Sequence, residues 1–245
     1  MKKLVSCLLG VVLSSGAWAA ALELPPVKEG DSWIYRSTTE KGPGGWNQTR
    51  EEITVTRVTA ARIFLSVKPS GSTQPPKEIF LGRDWSRSRD VNGKETVVNR
   101  PLSFPLSEKT AWDVVYTEDS PNKSHKSEKF DNHFTVAGFE TVEVPAGKFR
   151  ALKVEAEGQW EAELAPNQTV VQGATTGSGG TTMVTELRKN ASRAATGRTY
   201  KAFWYVPEVK RWVKSVEEYY SNEGVRNERY TQELESFKPA ESRTE

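Results

Sequence analysis

The sequence predicts an all-β fold, a single antiparallel, strongly curved sheet or open β-barrel built from meander hairpins. Apolar and polar residues alternate in short segments, as in Leu152–Glu157, with the period of a half-buried strand. No window carries an apolar stripe at helical spacing. A mean hydropathy of −0.62 favours a sheet with one wet face over a parallel sheet covered on both faces.

The alternation predicts strands along most of the chain, rich in the Thr, Val, Tyr, Trp and Phe that suit a pleated surface. These strands are Trp33–Thr38, Glu52–Val58, Ile63–Val67, Glu78–Leu81, Thr96–Asn99, Trp112–Glu118, Lys129–Val136, Thr141–Val144, Leu152–Glu157, Met183–Arg188, Thr199–Val206, Arg211–Tyr220 and Val225–Phe237. Three successive turns, at Val144–Gly147, Pro207–Lys210 and Asn222–Gly224, predict an antiparallel meander. We expect a further long hairpin between Glu161 and Lys189.

The first residues have the pattern of a secretory signal peptide. Two lysines precede an apolar run, and Ala17-Trp18-Ala19 forms an A-x-A cleavage site. The sequence therefore predicts a signal peptide over residues 1–19, cleaved near Ala19, and a periplasmic protein; a cut after Ala21 is an alternative. Cys7 has lipoprotein-like spacing, but its place inside the apolar run disfavours lipidation. We expect one β domain over 20–237 and a flexible tail over 238–245.

Charge and cysteine content exclude several function classes. The chain has 34 basic and 32 acidic residues, and the leader removes Lys2 and Lys3 but no acid. The mature chain is formally neutral, so it lacks the excess positive charge that is typical of nucleic-acid-binding proteins. The leader also contains Cys7, the single cysteine, so thiol chemistry and disulfides are excluded. No later apolar stretch is long enough for a transmembrane helix.

Few residues point to catalysis, and we expect neither a cofactor nor a metal. His125 and His133 lie in a polar stretch that we interpret as a solvated loop, without the tight spacing of a zinc site. No G-x-S-x-G elbow or P-loop is present. Converging carboxylates would allow a hydrolase. The candidates are Glu155, Glu157, Glu161, Glu163, Glu217 and Glu218, which we interpret as a solvated sheet face.

Three motifs resemble a known family. Gly30–Tyr35, Gly138–Phe149 and Phe203–Val209 are similar to segments of exported bacterial β proteins of unknown function, distantly like the open-barrel periplasmic lipoprotein carriers. The resemblance implies a β fold and an exported protein, and it supplies no catalytic residues. The chain departs from the family at Lys210, where the family has Gly after Pro-x-Val.

The number of aromatic residues is the one unusual feature that points toward a function, because seven Trp remain after the leader is removed. On a concave sheet they would hold a hydrophobic small molecule or lipid, although aromatics also fill the core of a cysteine-free domain. The candidate ligand-binding residues are Trp33, Tyr35, Trp46, Trp204 and Trp212. The leading hypothesis is a non-catalytic binding protein for a hydrophobic or envelope-derived ligand. The alternatives are an adaptor that binds an envelope protein through an edge strand or loop, and a carboxylate-based hydrolase.

Overall fold

The computed structural model describes residues 21–165, 168–177, 180–189 and 194–241, and it is built from strands. The predicted signal peptide lies outside these residues. The described residues form fourteen strands: β1 Ser32–Lys41, β2 Trp46–Val58, β3 Arg62–Pro69, β4 Lys77–Gly82, β5 Arg87–Val91, β6 Lys94–Asn99, β7 Ala111–Asn122, β8 His125–Val144, β9 Gly147–Leu164, β10 Gln168–Gly177, β11 Gly180–Lys189, β12 Ala194–Val206, β13 Arg211–Ser221 and β14 Arg226–Lys238. Short 3₁₀ turns cover Gly42–Gly44 and Pro207–Val209. The predicted all-β class is confirmed.

Ten strands form one antiparallel sheet in the order β4-β3-β2-β1-β14-β13-β12-β9-β8-β7. Within the described ranges, β4 and β7 each pair with a single neighbour, so the sheet is open. The three predicted turns join β8 to β9, β12 to β13 and β13 to β14, β9 pairs with β12, and β1 pairs with β14. The β5–β6 and β10–β11 hairpins lie outside this ladder.

The β5–β6 hairpin shows how strongly the sheet curves. Arg62 of β3 forms an ion pair with Glu95 at 2.7 Å, and Arg89 of the same hairpin is paired with Glu118 of β7. In a flat sheet β3 and β7 would lie about 38 Å apart, whereas a hairpin of this length reaches about 20 Å. The two ends of the sheet therefore bend toward each other, and the hairpin bridges them across the inner face.

The tip of this hairpin also caps the edge of β7. The Asn92 side chain donates to the Thr117 carbonyl at 3.1 Å and accepts from the Asp119 amide at 2.8 Å. A side chain thus takes the place of a neighbouring strand at this point, which is one way in which proteins protect a sheet edge. The strand at the other edge of the sheet, β4, is only six residues long.

A buried ion pair joins one of the motifs that carry the family resemblance to the residue that follows another. Lys210 Nζ lies 2.8 Å from both carboxylate oxygens of Asp31, which is fully buried. Asp31 also accepts hydrogen bonds from the Lys28 and Ala240 amides. Lys210 itself adopts φ +63°, a left-handed conformation that favours Gly, the residue expected at this position from the family resemblance. The tight turn is therefore retained.

Three aromatic side chains donate hydrogen bonds to the backbone of this turn and of the residues just after it. Trp33 Nε1 donates to the Val209 carbonyl at 2.9 Å, and Trp85 Nε1 donates to the Lys210 carbonyl at 3.0 Å. The Tyr35 hydroxyl donates to the Trp212 carbonyl at 2.5 Å. These hydrogen bonds give partners to buried polar groups, which would lower the stability of the fold if they were left unpaired. We call residues 207–212 the corner, because β12 and β13 meet there.

One local expectation is corrected. The polar stretch around the histidines is part of the β7–β8 hairpin, because β8 begins at His125 and runs without interruption past His133. His133 contacts Asp113 of β7 at 2.6 Å, so cross-strand pairing replaces the expected loop. The final strand runs through Lys238 and the Ala240 amide donates to Asp31, while residues 242–245 of the predicted tail lie outside the described residues. No helix among the described residues is long and apolar enough to cross a membrane.

The ion pair at the corner gives a stability prediction. Lys210→Ala leaves the buried carboxylate of Asp31 without its cation, so we expect the free energy of unfolding to fall by about 3 to 5 kcal/mol. Lys210→Gly loses the same pair but suits the left-handed backbone, and it should be about 1 kcal/mol more stable than the alanine variant. Urea denaturation of the mature protein measures both.

Lys148→Ala is the control for that measurement. Lys148 forms an exposed ion pair with Glu143 at 3.4 Å, and exposed pairs contribute about 0 to 1 kcal/mol. A loss for Lys210→Ala no larger than the loss for Lys148→Ala would contradict the structural role of the Asp31 pair.

Candidate functional site

The inner face of the sheet has an apolar half in which three of the candidate ligand-binding residues lie. Trp33 and Tyr35 are fully buried and Trp212 is 6% exposed. Trp85, which follows β4, packs edge-on against both Trp33 and Trp212, with ring centroids 5.5 and 6.2 Å apart. Leu102 from the same connecting segment lies in the same core. The segment between β4 and β7 thus covers this half, and ligand contact by these aromatics stays a prediction.

Arg211 is buried among these rings. Its guanidinium carbon lies 4.4 Å from the ring centroid of Trp212 and 5.0 Å from those of Tyr35 and Trp85. Its Nε and Nη1 atoms have no hydrogen-bond partner among the described residues. Burial lowers the pKa of Arg211, and the neighbouring Tyr35 and Glu51 offset part of that effect. The aromatic faces supply the cation–π attraction that accompanies this burial.

The other two candidate residues lie away from the apolar half and from each other. Trp204 packs on the outer face, where its indole N–H donates to Glu140 at 2.5 Å and the Lys153 ammonium lies 5.4 Å from its ring centroid. Trp46 begins β2 and is 68% exposed. The structure therefore brings together Trp33, Tyr35 and Trp212 but not Trp46 or Trp204.

The other half of the inner face is a polar groove of about 620 Å³. The two faces alternate along each strand, so Ser37 and Thr39 continue the inner-facing series of Trp33 and Tyr35 on β1. Hydroxyl, amide and carboxylate side chains from β1, β2, β13 and β14 line the groove, and Arg87 of β5 adds a cation. We call this cavity the inner groove.

Several polar groups in the inner groove have no partner within the part of the chain that the structure describes. The Glu51 carboxylate accepts from Ser37 through one oxygen, and Glu217 contacts Lys201 and Tyr219 through one oxygen. The second oxygen of each carboxylate is unbound. The hydroxyl groups of Thr39 and Ser215 are unbound as well, and Ser215 is only 5% exposed. Thr39, Glu51 and Glu217 are half-buried rather than fully buried, so a ligand in the groove can reach their polar atoms.

Two tyrosines and two glutamates form a checkerboard on the floor of the inner groove. Tyr219 lies opposite Glu228, and Glu217 lies opposite Tyr230, in the β13–β14 register. The two rings meet edge to face with centroids 6.1 Å apart. A hydrogen bond to Glu228, with partial burial and the nearby charges, raises the pKa of Tyr230 to about 12. Burial raises the pKa of Tyr219.

A second groove, of about 740 Å³, lies on the outer face between β8 and β13. Its tyrosine hydroxyls are engaged, because Tyr200 donates to Glu155 and Tyr220 donates to Glu218. Its unpaired charges, among them Glu157, are exposed to solvent, as on an ordinary sheet surface. The inner groove is more enclosed and is the stronger candidate site.

Comparison with known proteins identifies similar folds at low sequence identity. No family model matches the chain, and no curated protein matches its sequence. A protein described as a lipoprotein of Parabacteroides distasonis is 14% identical with a TM-score of 0.47, over 89% of this chain and 100% of that one. An exported protein of Bacteroides fragilis with a YmcC-like fold is 16% identical with a TM-score of 0.37, over 89% and 100%.

The hypothetical lipoprotein YmcC of Escherichia coli is also similar. It is 12% identical with a TM-score of 0.29, over 86% of each chain. All three are described as exported proteins or lipoproteins.

The checkerboard gives a titration prediction. Glu228→Gln removes the carboxylate that stabilises the neutral phenol, so the pKa of Tyr230 should fall from about 12 toward its ordinary value of 10.0. In the native protein the neutral phenol is favoured, so its contribution to stability is complete below about pH 10 and is lost as the pH rises through 12. NMR of ¹³Cζ-labelled tyrosine, with Tyr230→Phe for assignment, measures the pKa.

Glu223→Gln, in the exposed β13–β14 turn, is the matched control and should leave the Tyr230 pKa unchanged. An unchanged pKa in Glu228→Gln would contradict the assigned hydrogen bond.

Proposed function

We propose that this protein is a non-catalytic binding protein of the periplasm whose envelope-derived ligand lies in the inner groove. The observation that carries the proposal is a set of half-buried polar groups around one cavity, such as the Thr39 hydroxyl and one oxygen of Glu217, that have no partner among the described residues. Its volume lies within the range of about 300 to 1,000 Å³ that small-molecule sites occupy. The secretory pattern of residues 1–19 supports the location.

A polar ligand fits better than the hydrophobic one first expected. The aromatic half of the inner face is covered by the segment that contains Trp85 and Leu102, both nearly fully buried. A lipid chain would have to displace that segment and break the bond from Trp85 Nε1 to the corner. The uncovered half is lined by polar side chains. An alkyl chain there would remove them from water without forming hydrogen bonds to them, which is unfavourable.

Binding without catalysis is supported by the state of the candidate carboxylates. A glycosidase-like acid needs a raised pKa. Partial burial would raise the pKa of Glu155, but hydrogen bonds from Lys153 and Tyr200 outweigh it and the pKa lies below its ordinary value. Ion pairs hold further candidates: Glu163 with Lys126, Glu217 with Lys201 and Glu218 with Arg226.

An adaptor function is the second candidate. It would bind an envelope protein through an edge strand or a loop, and the first of these routes requires a free edge strand. The cap that Asn92 places on β7 disfavours that edge, which leaves the short β4 edge.

Native mass spectrometry of the mature protein, purified from its own envelope, tests the proposal. We expect a co-purifying ligand mass. Thr49→Trp places an indole in the inner groove at an exposed position, so the ligand-bound fraction should fall at least about tenfold. Glu157→Trp, in the outer groove, is the matched control and should retain the ligand.

An apo mass for the wild-type protein would contradict ligand carriage. A bound mass that Thr49→Trp leaves unchanged and Glu157→Trp removes would move the site to the outer face.

A further inference from the structure

Resting on the proposed function, we infer that the ligand of the inner groove is a neutral saccharide. Its hydroxyl groups donate to the unbound carboxylate oxygens of Glu51 and Glu217, and it lies along the rings of Tyr219 and Tyr230. Three features of the groove point to this class: balanced charge, unbound hydrogen-bonding groups of both kinds, and accessible aromatic surface.

The charges of the groove are already compensated by the protein. Lys201 lies 3.3 Å from Glu217, and Lys41 lies 3.7 Å from Glu228. Arg211, buried among the rings of the apolar half, interacts electrostatically with Glu51. No carboxylate therefore depends on a cationic ligand for its counter-charge, so a neutral ligand leaves every pair intact.

The unbound groups match the hydroxyl groups of a sugar. A sugar hydroxyl both donates and accepts, so it can donate to a carboxylate oxygen of Glu51 or Glu217 and accept from Thr39 or Ser215. Hydrogen bonds with one charged partner are roughly twice as strong as neutral ones. Glu51 and Glu217 lie on β2 and β13, on two sides of the groove, so a ligand that spans it bonds to both.

The tyrosine rings match the apolar face of a sugar. The apolar C–H face of a pyranose packs against aromatic rings, while the polar edges keep their hydrogen bonds. The Tyr230 hydroxyl is bound to Glu228 and the Tyr219 hydroxyl to Glu217, so both rings are held in place before a ligand arrives. Such preorganisation lowers the cost of binding.

Other ligand classes fit less well. A polyamine would meet Arg87 in the lining and the lysines that are paired with Glu217 and Glu228. A phosphate or other multiply charged anion would meet the three carboxylates of the lining. Both would therefore face like charge, which costs binding energy.

Isothermal titration of the mature protein with maltotriose, chitotriose and a panel of neutral envelope oligosaccharides tests the inference. Spermidine and glucose 6-phosphate are the charged comparison probes. We expect saturable binding of at least one neutral saccharide and none of the charged probes. Glu51→Gln should weaken that binding about tenfold, because it replaces a charged acceptor by a neutral one. Glu157→Gln, on the outer face, is the control and should bind as the wild type does.

The outcomes separate this inference from the proposed function. Binding of spermidine or glucose 6-phosphate alone, or of no probe in the panel, overturns the saccharide. A co-purified mass that Thr49→Trp removes, and whose fragmentation shows no sugar residues, also overturns it while the binding function stands. Loss of saccharide binding in Glu157→Gln but not in Glu51→Gln overturns the site.

Discussion

The corner at residues 207–212 is the feature on which the rest of the inner face depends. Its carbonyl groups accept hydrogen bonds from Trp33, Tyr35 and Trp85, which come from β1 and from the segment after β4. The pair between Asp31 and Lys210 fixes the same turn from the chain that precedes β1. Strands far apart in sequence are thereby held around one point, where the largest side chains of the core meet.

This arrangement divides the inner face into two parts with different chemistry. Near the corner, Trp85 and its neighbours cover the apolar side chains and enclose the charge of Arg211. Farther along the same strands, Ser37, Thr39 and Ser215 follow in the inner-facing positions, and the covering segment contributes only Arg87 to the lining. The filled half provides stability, and the polar half provides the groove.

The sequence was sufficient for the fold class and for the turns at Val144–Gly147, Pro207–Lys210 and Asn222–Gly224, but not for the β5–β6 hairpin or the site. Alternation shows that Trp33 and Tyr35 share a face, yet it does not show that Trp85 covers them, because local pattern carries no information about long-range packing. Ser37 and Thr39 continue the same period, and this change from aromatic to hydroxyl side chains was a readable signal for the groove. The pairing of His133 with Asp113 depends on cross-strand register, which the polar composition of that stretch concealed.

A crystal structure of the mature protein purified from its own envelope tests the division of the inner face most directly. We predict ligand density in the inner groove, between Glu51 and the Tyr219–Tyr230 pair, with Trp85 still bonded to the corner. Density among Trp33, Trp85 and Trp212, with the segment after β4 displaced, would contradict the division and return the aromatic half to the role of ligand site.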